Sequence, residues 1–355
     1  MPRPTLRQIL AVTAVIVIGV PAVSLASALA RNDGLSLTGK AAAWGRNHHL
    51  SWVVDKAEEI RYGRKPSMQP ADSLPSTGTA PNAAGAAAPD AINPVISPAL
   101  PGEGEWHAVR SINGQAVVWT TGIRPSREYP SITATYTLID PSAVRARLYN
   151  GTEVPGGTGW VHGNRVNSAD AGKLVFGFNG GFRREHSRGG YYTENRMLWP
   201  MQAGSATVAI DHDGRMSVGV WGEDTGFTDE QVKNWASIRQ NLLPTVINGK
   251  ASPELTRGYW GGGKKGEIFI LRSAVCERFD GLILFVIAGP TNATTLAHAM
   301  VDAGCRTAMQ LDQNESYPRG YVYDSGTITE VDSRMMGKPT DYLTGSLREF
   351  FAFFE

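Results

Sequence analysis

The sequence predicts an α+β fold: a single domain built on mixed or antiparallel sheet with few helices. Three observations carry that expectation. Ser131 to Ile139 alternates β-branched and aromatic residues with the period of a strand. Two strand pairs are written around turn dipeptides, Ser205 to Trp221 with Asp213-Gly214, and Glu267 to Val275 with Leu282 to Ala288 around Asp280-Gly281. Glycine numbers 40 of 355 residues without a collagen-like period, which implies many tight turns and close backbone approaches.

The N-terminal elements precede this body. Arg3 and Arg7 lead into an uncharged apolar run from Ile9 to Leu29. At about 1.5 Å per helical residue it is long enough to cross a roughly 30 Å hydrocarbon core. Ala28-Leu29-Ala30 has the small-x-small form of a cleavage site. Residues 1–30 therefore read as a signal anchor or a cleaved signal peptide, and the length of the run favours the anchor. Both readings place the rest of the chain outside the cytoplasm, single-pass at the cell membrane or secreted.

Residues 31–65 follow with Leu37, Ala41, Trp44, Trp52, Val53, Ala57 and Ile60 at mostly helical spacing. They predict one amphipathic juxtamembrane helix over Leu35 to Tyr62, facing either lipid or protein. The adjacent pair His48-His49 points in two directions on such a helix and is not a metal site. Residues 66–104 contain eight prolines from Pro66 to Pro101 among Ala, Ser, Thr and Gly, and read as a disordered linker.

The body is expected from residue 105 to 355. Two helices are signalled in it. Thr228 and Gln231 have capping-box spacing ahead of Val232, Trp235, Ile238 and Leu242, and Thr291 or Thr294 precedes Leu296, Met300 and Val301, ended by Gly304. The tail Phe350, Phe351, Phe353 and Phe354 reads as a last element buried in the core, too short to span a membrane.

Charge and composition exclude several classes. Thirty-four basic against 33 acidic residues leave +1, which argues against a nucleic-acid partner. Gly258 to Lys265 approaches a P-loop, but Lys265 stands where Ser or Thr must bind Mg²⁺. Asp211-His212-Asp213-Gly214 resembles the start of a calcium loop but lacks the later ligands. No metal site is expected, and no cofactor is identified.

Three segments carry chemistry. Leu174 to Phe182 is a strand running into Asn179-Gly180-Gly181, where a ligand can approach the backbone. Asp312, with Gln313, Asn314 and Glu315 after it, follows an apolar pair where a buried strand would end. Arg272-Ser273 puts a guanidinium in an apolar strand, where it calls for an anion: a buried carboxylate or a substrate phosphate.

In combination these segments resemble the phosphodiester glycosidase domain family. The resemblance runs from about Tyr149 to Asn314. It takes in Asn179-Gly180-Gly181-Phe182, Gly189-Gly190-Tyr191-Tyr192, Arg239-Gln240-Asn241-Leu242, Arg272-Ser273 and Leu311-Asp312. It is similar to a bacterial, membrane-anchored branch. The family run Leu-Asp-Gly-Gly-Gly-Ser departs here, with Gln313, Asn314 and Glu315 after Asp312. The resemblance implies hydrolysis of the sugar C1–O bond of a sugar-1-phosphodiester, in a sugar-phosphate or cell-envelope glycan. It implies Asp312 as the catalytic carboxylate, Arg272 on phosphate, Asn179 and Asn314 orienting oxygens, and Ser273 in the binding site. The Gly180 and Gly181 amides would serve as oxyanion donors, with Glu315 and Glu194 as reserve acids. The alternatives are a non-catalytic module binding glycan or phosphate polymer, or a scaffold whose stalk is the active part. Cys276 and Cys305, which stand where relatives tend to have small residues, are expected to pair in a disulfide, against two buried free thiols.

Overall fold

A computed structural model describes residues 20–31, 37–75, 88–256, 260 and 268–355. It divides into two compact units, up to Glu58 and from Glu59 to Glu355.

The first unit is helical. Val20–Ala30 is a helix, so the apolar run is described only in its later half; Ile9 to Gly19 lie outside the described residues. Among the described residues no helix is long and apolar enough to cross a membrane. The single juxtamembrane helix expected over Leu35 to Tyr62 is instead two, Leu37–Asn47 and Ser51–Tyr62. The break is a local backbone event. His49 adopts φ 61°, and the Leu50 amide bonds back to the Gly45 carbonyl at 2.8 Å, the six-to-one closure of a Schellman end.

Among the described residues the second unit holds three sheets, and every strand pair in them is antiparallel. The eight-stranded sheet runs in the order β1 (His107–Ile112), β2 (Gln115–Ile123), β3 (Thr133–Ile139), β14 (Ile283–Thr291), β13 (Ile270–Arg278), β15 (Cys305–Gln313), β11 (Val246–Ile247), β12 (Lys250–Ala251). A five-stranded sheet runs β7 (Arg196–Trp199), β6 (Tyr191–Thr193), β10 (Trp235–Gln240), β8 (Ala206–Asp211), β9 (Met216–Val220). The other runs β17 (Thr327–Glu330), β16 (Gly320–Asp324), β5 (Leu174–Asn179), β18 (Phe350–Phe354), β4 (Arg145–Tyr149). The expected hairpins are β8–β9 and β13–β14, and Gly214 and Gly281 supply the left-handed φ their turns need. Asp211 Oδ1 accepts the Asp213 and Arg215 amides, so the calcium-like segment is a side-chain-closed turn.

The period-2 pattern of β14 shows why this sheet is apolar on both sides. Ile283, Phe285 and Ile287 enter a core shared with Phe176 and Phe178 of β5, Phe351 and Phe353 of β18, and Val208 of β8. That core joins all three sheets; Phe178 stacks on Phe285 at 4.7 Å. Leu284, Val286 and Ala288 face the second core, formed with Leu296, Ala297 and Met300 of the helix Ala293–Asp302. Asn292, rather than either threonine, caps that helix by accepting the Thr295 amide at 2.8 Å. The other expected helix is absent. Asp229–Asn234 is one short 3₁₀ stretch, after which Trp235 to Gln240 is strand β10, because Ile238 packs into a sheet core where β-branched side chains fit.

The proline-rich segment is not a disordered linker where it is described. Ser131 donates to the Ser67 carbonyl at 2.7 Å, Ala71 to Pro130 at 3.0 Å, and Trp106 Nε1 to Asp90 at 3.1 Å. Ile92 is buried. Proline lowers the entropy lost on ordering and leaves carbonyls free to accept, as Pro98 does from Arg124 at 2.7 Å. Residues 76–87 lie outside the described residues, as do 257–259 and 261–267, which take in all of the P-loop-like segment but Trp260.

Cys276 and Cys305 are joined by a disulfide between β13 and β15, Cα atoms 5.7 Å apart and 29 residues apart in sequence. For a loop of that length the chain-entropy model gives roughly 3–4 kcal/mol. Replacing both cysteines by alanine is expected to lower the unfolding free energy by that amount in a urea titration. A change below about 1 kcal/mol would contradict it.

Candidate active site

The chemistry-bearing residues come together because of strand register. Pairing sets Phe350 opposite Asn179, and Arg272 opposite Gln313. The end of β5, the start of β13, the end of β15 and the residues leading into β18 therefore meet at one place. Asn241, just past β10, joins them by donating to the Gln310 and Leu311 carbonyls and accepting the Phe182 amide at 3.0 Å.

Asp312 is the centre. It is 4% exposed. Its Oδ1 accepts the Gln313 amide at 2.8 Å, and its Oδ2 accepts from Arg348 Nη2 at 3.0 Å. Burial pushes the carboxyl up to about 6; the Arg348 charge and the Gln313 amide pull the other way, and the Glu349 charge adds to the rise. Arg348 also donates to the Gly181 carbonyl at 2.8 Å and lies 4.8 Å from the centre of the Tyr317 ring. Its Nε is buried and has no acceptor among the described residues.

Behind this pair is a second, deeper one. Arg239 donates from Nε to Glu349 Oε1 at 2.9 Å, and neither side chain has any exposed surface. Arg239 also reaches the Phe182 and Gln240 carbonyls. The same Glu349 Oε1 accepts the Gly181 amide at 3.1 Å, and the Glu349 carbonyl accepts the Gly180 amide at 2.9 Å.

This geometry revises several expected roles. The Gly180 and Gly181 amides hold Glu349 and are not open oxyanion donors. Glycine is needed there for space: a Cβ on Gly180 would lie 2.5 Å from Glu349 Cγ, and one on Gly181 2.8 Å from Asn241 Cγ. Asn179 is a cross-link. Its Nδ2 donates to Ser273 Oγ and the Gly180 carbonyl, and its Oδ1 accepts the Arg319 amide at 2.9 Å. Ser273 is likewise internal, accepting the Asp312 amide at 3.3 Å.

Arg272 does not meet an anion among the described residues. It is fully buried and donates to the Thr291 and Ile268 carbonyls and to the amide oxygens of Gln310 and Gln313. Burial lowers its guanidinium to about 9. Among the described residues four neutral oxygens stand where the sequence called for an anion.

Asn314 turns the chain away from β15 at φ 79°, and its side chain accepts the Ser316 amide at 2.8 Å. Asparagine tolerates that left-handed conformation better than most residues, so the turn survives without a glycine. Glu315 is out at the surface, 3.3 Å from Arg61. Glu194 is also removed from Asp312; both its oxygens accept backbone amides, of Val161 and His162 at 2.8 Å. Among the described residues no group of His, Cys, Asp or Glu is arranged to hold a metal ion.

The arginine beside Asp312 was not identified from the sequence. Arg348-Glu349 carries one signal: two opposite charges stand directly before a run of buried phenylalanines, where only a paired charge is tolerated.

The family model for phosphodiester glycosidase covers most of these residues. Residues 172–316 match that family. The phosphodiester glycosidase match includes Asn179, Arg239, Arg272 and Asp312, and ends before Arg348 and Glu349. No curated protein matches the chain. Among solved structures, the chain is similar to the catalytic domain of zebrafish N-acetylglucosamine-1-phosphodiester alpha-N-acetylglucosaminidase. The identity is 13% and the TM-score 0.47, over 71% of this chain and 87% of that one. A Synechocystis protein is similar at 10% identity and TM-score 0.48, over 69% of this chain and 64% of its own.

Proposed function

We propose that the protein is an exported hydrolase that cleaves the glycosidic bond of a sugar-1-phosphodiester, with cell-envelope glycopolymer as the substrate class. One observation carries the reading: a buried carboxyl with a pKa of about 6, inside the phosphodiester glycosidase match, lies 3.0 Å from a largely buried guanidinium that stands beyond it. A base poised near neutral pH and a cation for phosphate are what the reaction asks of a protein. The apolar run Ile9 to Leu29 supports export.

In this reading water attacks the sugar C1. The C1–O bond to phosphate breaks, its electron pair leaves on the phosphate oxygen, and Asp312 takes the proton from water. A phosphomonoester leaves readily, so a strong general acid is not required. Arg348 takes the phosphate role in place of Arg272, and its unpartnered Nε supplies a donor that substrate oxygen would satisfy. Tyr317, 4.8 Å from Arg348, and the turn at Asn314 are the groups nearest in place to meet the substrate in this reading.

Hydrolysis of N-acetylglucosamine-1-phosphate methyl ester in ¹⁸O-water tests the reaction. The expected result is label in the sugar. Label in the phosphate would mean P–O cleavage and overturn the assignment. A second reading is favoured by the internal engagement of Asn179 and the Gly180 and Gly181 amides: binding of glycan or phosphate polymer without turnover. Calorimetric binding with no labelled product of either kind would establish it.

A further inference from the structure

A cleft of about 380 Å³ opens between β4, β8 and β10, and it is separate from the Asp312 cluster. The shared strands show the separation. Arg348 and Glu349 lead into β18 where Tyr149 pairs with Phe350, and Tyr149 is not part of the cleft, which is bordered by Arg145 to Leu148 opposite Phe354 to Phe351. On β10 the cleft takes Ala236 and Ser237, while Arg239 points into the Asp312 cluster.

The chemistry of the wall is mixed and largely self-neutralised. Glu194 accepts two backbone amides, Asp211 accepts two, and Arg147 pairs with Asp170 at 2.7 Å. Among the described residues Arg145 donates to the Ser142 and Val144 carbonyls. Burial, with the Arg147 charge, lowers the His162 imidazole from its ordinary value, against the pull of Glu194 and Asp170. The Thr193 and Ser237 hydroxyls lie 2.7 Å apart and are buried. Leu148 and Ile210 add apolar surface.

That wall selects a ligand class. A phosphate would meet the carboxylates of Glu194, Asp211 and Asp213, and a simple cation would meet two guanidiniums. Hydroxyl groups both donate and accept, so each can use a carboxylate on one side and a guanidinium on the other, while C–H faces cover the apolar surface. We infer that this cleft is an accessory binding site for neutral sugar residues of a glycan chain, distinct from the site at Asp312. The volume is at the small end of ordinary ligand pockets, which suits one or two rings. One end of the cleft is bordered by the loop that Glu194 holds, in which Val161 is exposed and Trp160 is covered by Arg196 at 3.8 Å. The inference does not depend on the chain being a hydrolase.

Calorimetry with maltotetraose and chitotetraose, using the full chain, tests it. Ala236→Trp fills the cleft and is expected to weaken saccharide binding at least about tenfold. His212→Ala, at the exposed rim, is expected to weaken it by a smaller factor, and Asp312→Asn to leave it unchanged. Amide exchange should slow at 193–195 and 210–214 on adding saccharide, which decides the matter if Ala236→Trp folds poorly. No binding of either saccharide, binding unaffected by both cleft variants, or displacement by hexametaphosphate would each overturn the inference.

Discussion

Asp312→Asn is expected to lower kcat on a sugar-1-phosphodiester by about 10²–10⁴-fold, the usual contribution of a general base. It should do so without loss of stability at pH 8, and the reason is the direction of the Asp312 shift. Its folded pKa is raised to about 6 from 3.8, so the native state binds the proton more tightly than the unfolded chain. The stability that goes with this is complete below pH 3.8 and is lost as pH rises through 6. About two pKa units correspond to about 3 kcal/mol. Asparagine carries no charge at any pH, so the variant should gain relative to the parent between pH 4 and pH 7. Paired thermal melts across that range measure the gain. A variant that keeps its activity and melts lower at pH 8 would make Asp312 a structural residue. In the parent, kcat/KM should fall tenfold per pH unit below about 6, because the base must be unprotonated.

The second large effect is on stability. Arg239→Met is expected to cost about 3–5 kcal/mol, because it leaves the Glu349 carboxylate buried without its counter-charge. For a body of this size that is roughly a 10 °C fall in melting temperature. Adding Glu349→Gln to Arg239→Met should restore most of it, since the cost lies in the unpaired charge and not in the missing contact. A single substitution that costs less than 1 kcal/mol would show that water or rearrangement solvates the pair. Glu349→Gln alone should also move the acid limb of the activity profile to lower pH, because the Glu349 charge raises the Asp312 pKa.

These two predictions rest on residues that differ in how readable they were. Asp312 was visible in one dimension: an apolar pair, then a carboxylate where a strand should end. Its partner was not. Arg272 had the right residue type in the right kind of strand, yet amide and carbonyl oxygens satisfy it. Arg348, 36 residues beyond Asp312, reaches the carboxylate because β18 is inserted between β4 and β5. Spacing cannot reveal a contact made by such an insertion. The capping-box reading of Thr228 failed for a related reason. Local signals started one 3₁₀ stretch, and burial of Ile238 against neighbouring strands then took the chain into β10.

The proline-rich segment and the two glycines at β5 teach the same lesson from the other side. Composition suggested freedom at 66–104 and open amides at Gly180 and Gly181. In the fold, Arg124 and Trp106 capture the carbonyls of the first, and Glu349 occupies the second.

The sequence by itself determined the local features: strand periodicity, the Asp-Gly hairpins, the buried phenylalanine tail and the candidate carboxylate. These depend on residues within a turn or two of one another, where side-chain alternation and left-handed φ preferences act directly. Only the tertiary structure decided which charges pair, which amides are open and where a polar cleft forms apart from Asp312. Those depend on strand order and register across three sheets, and the burial that makes each charge costly exists only after the sheets have packed.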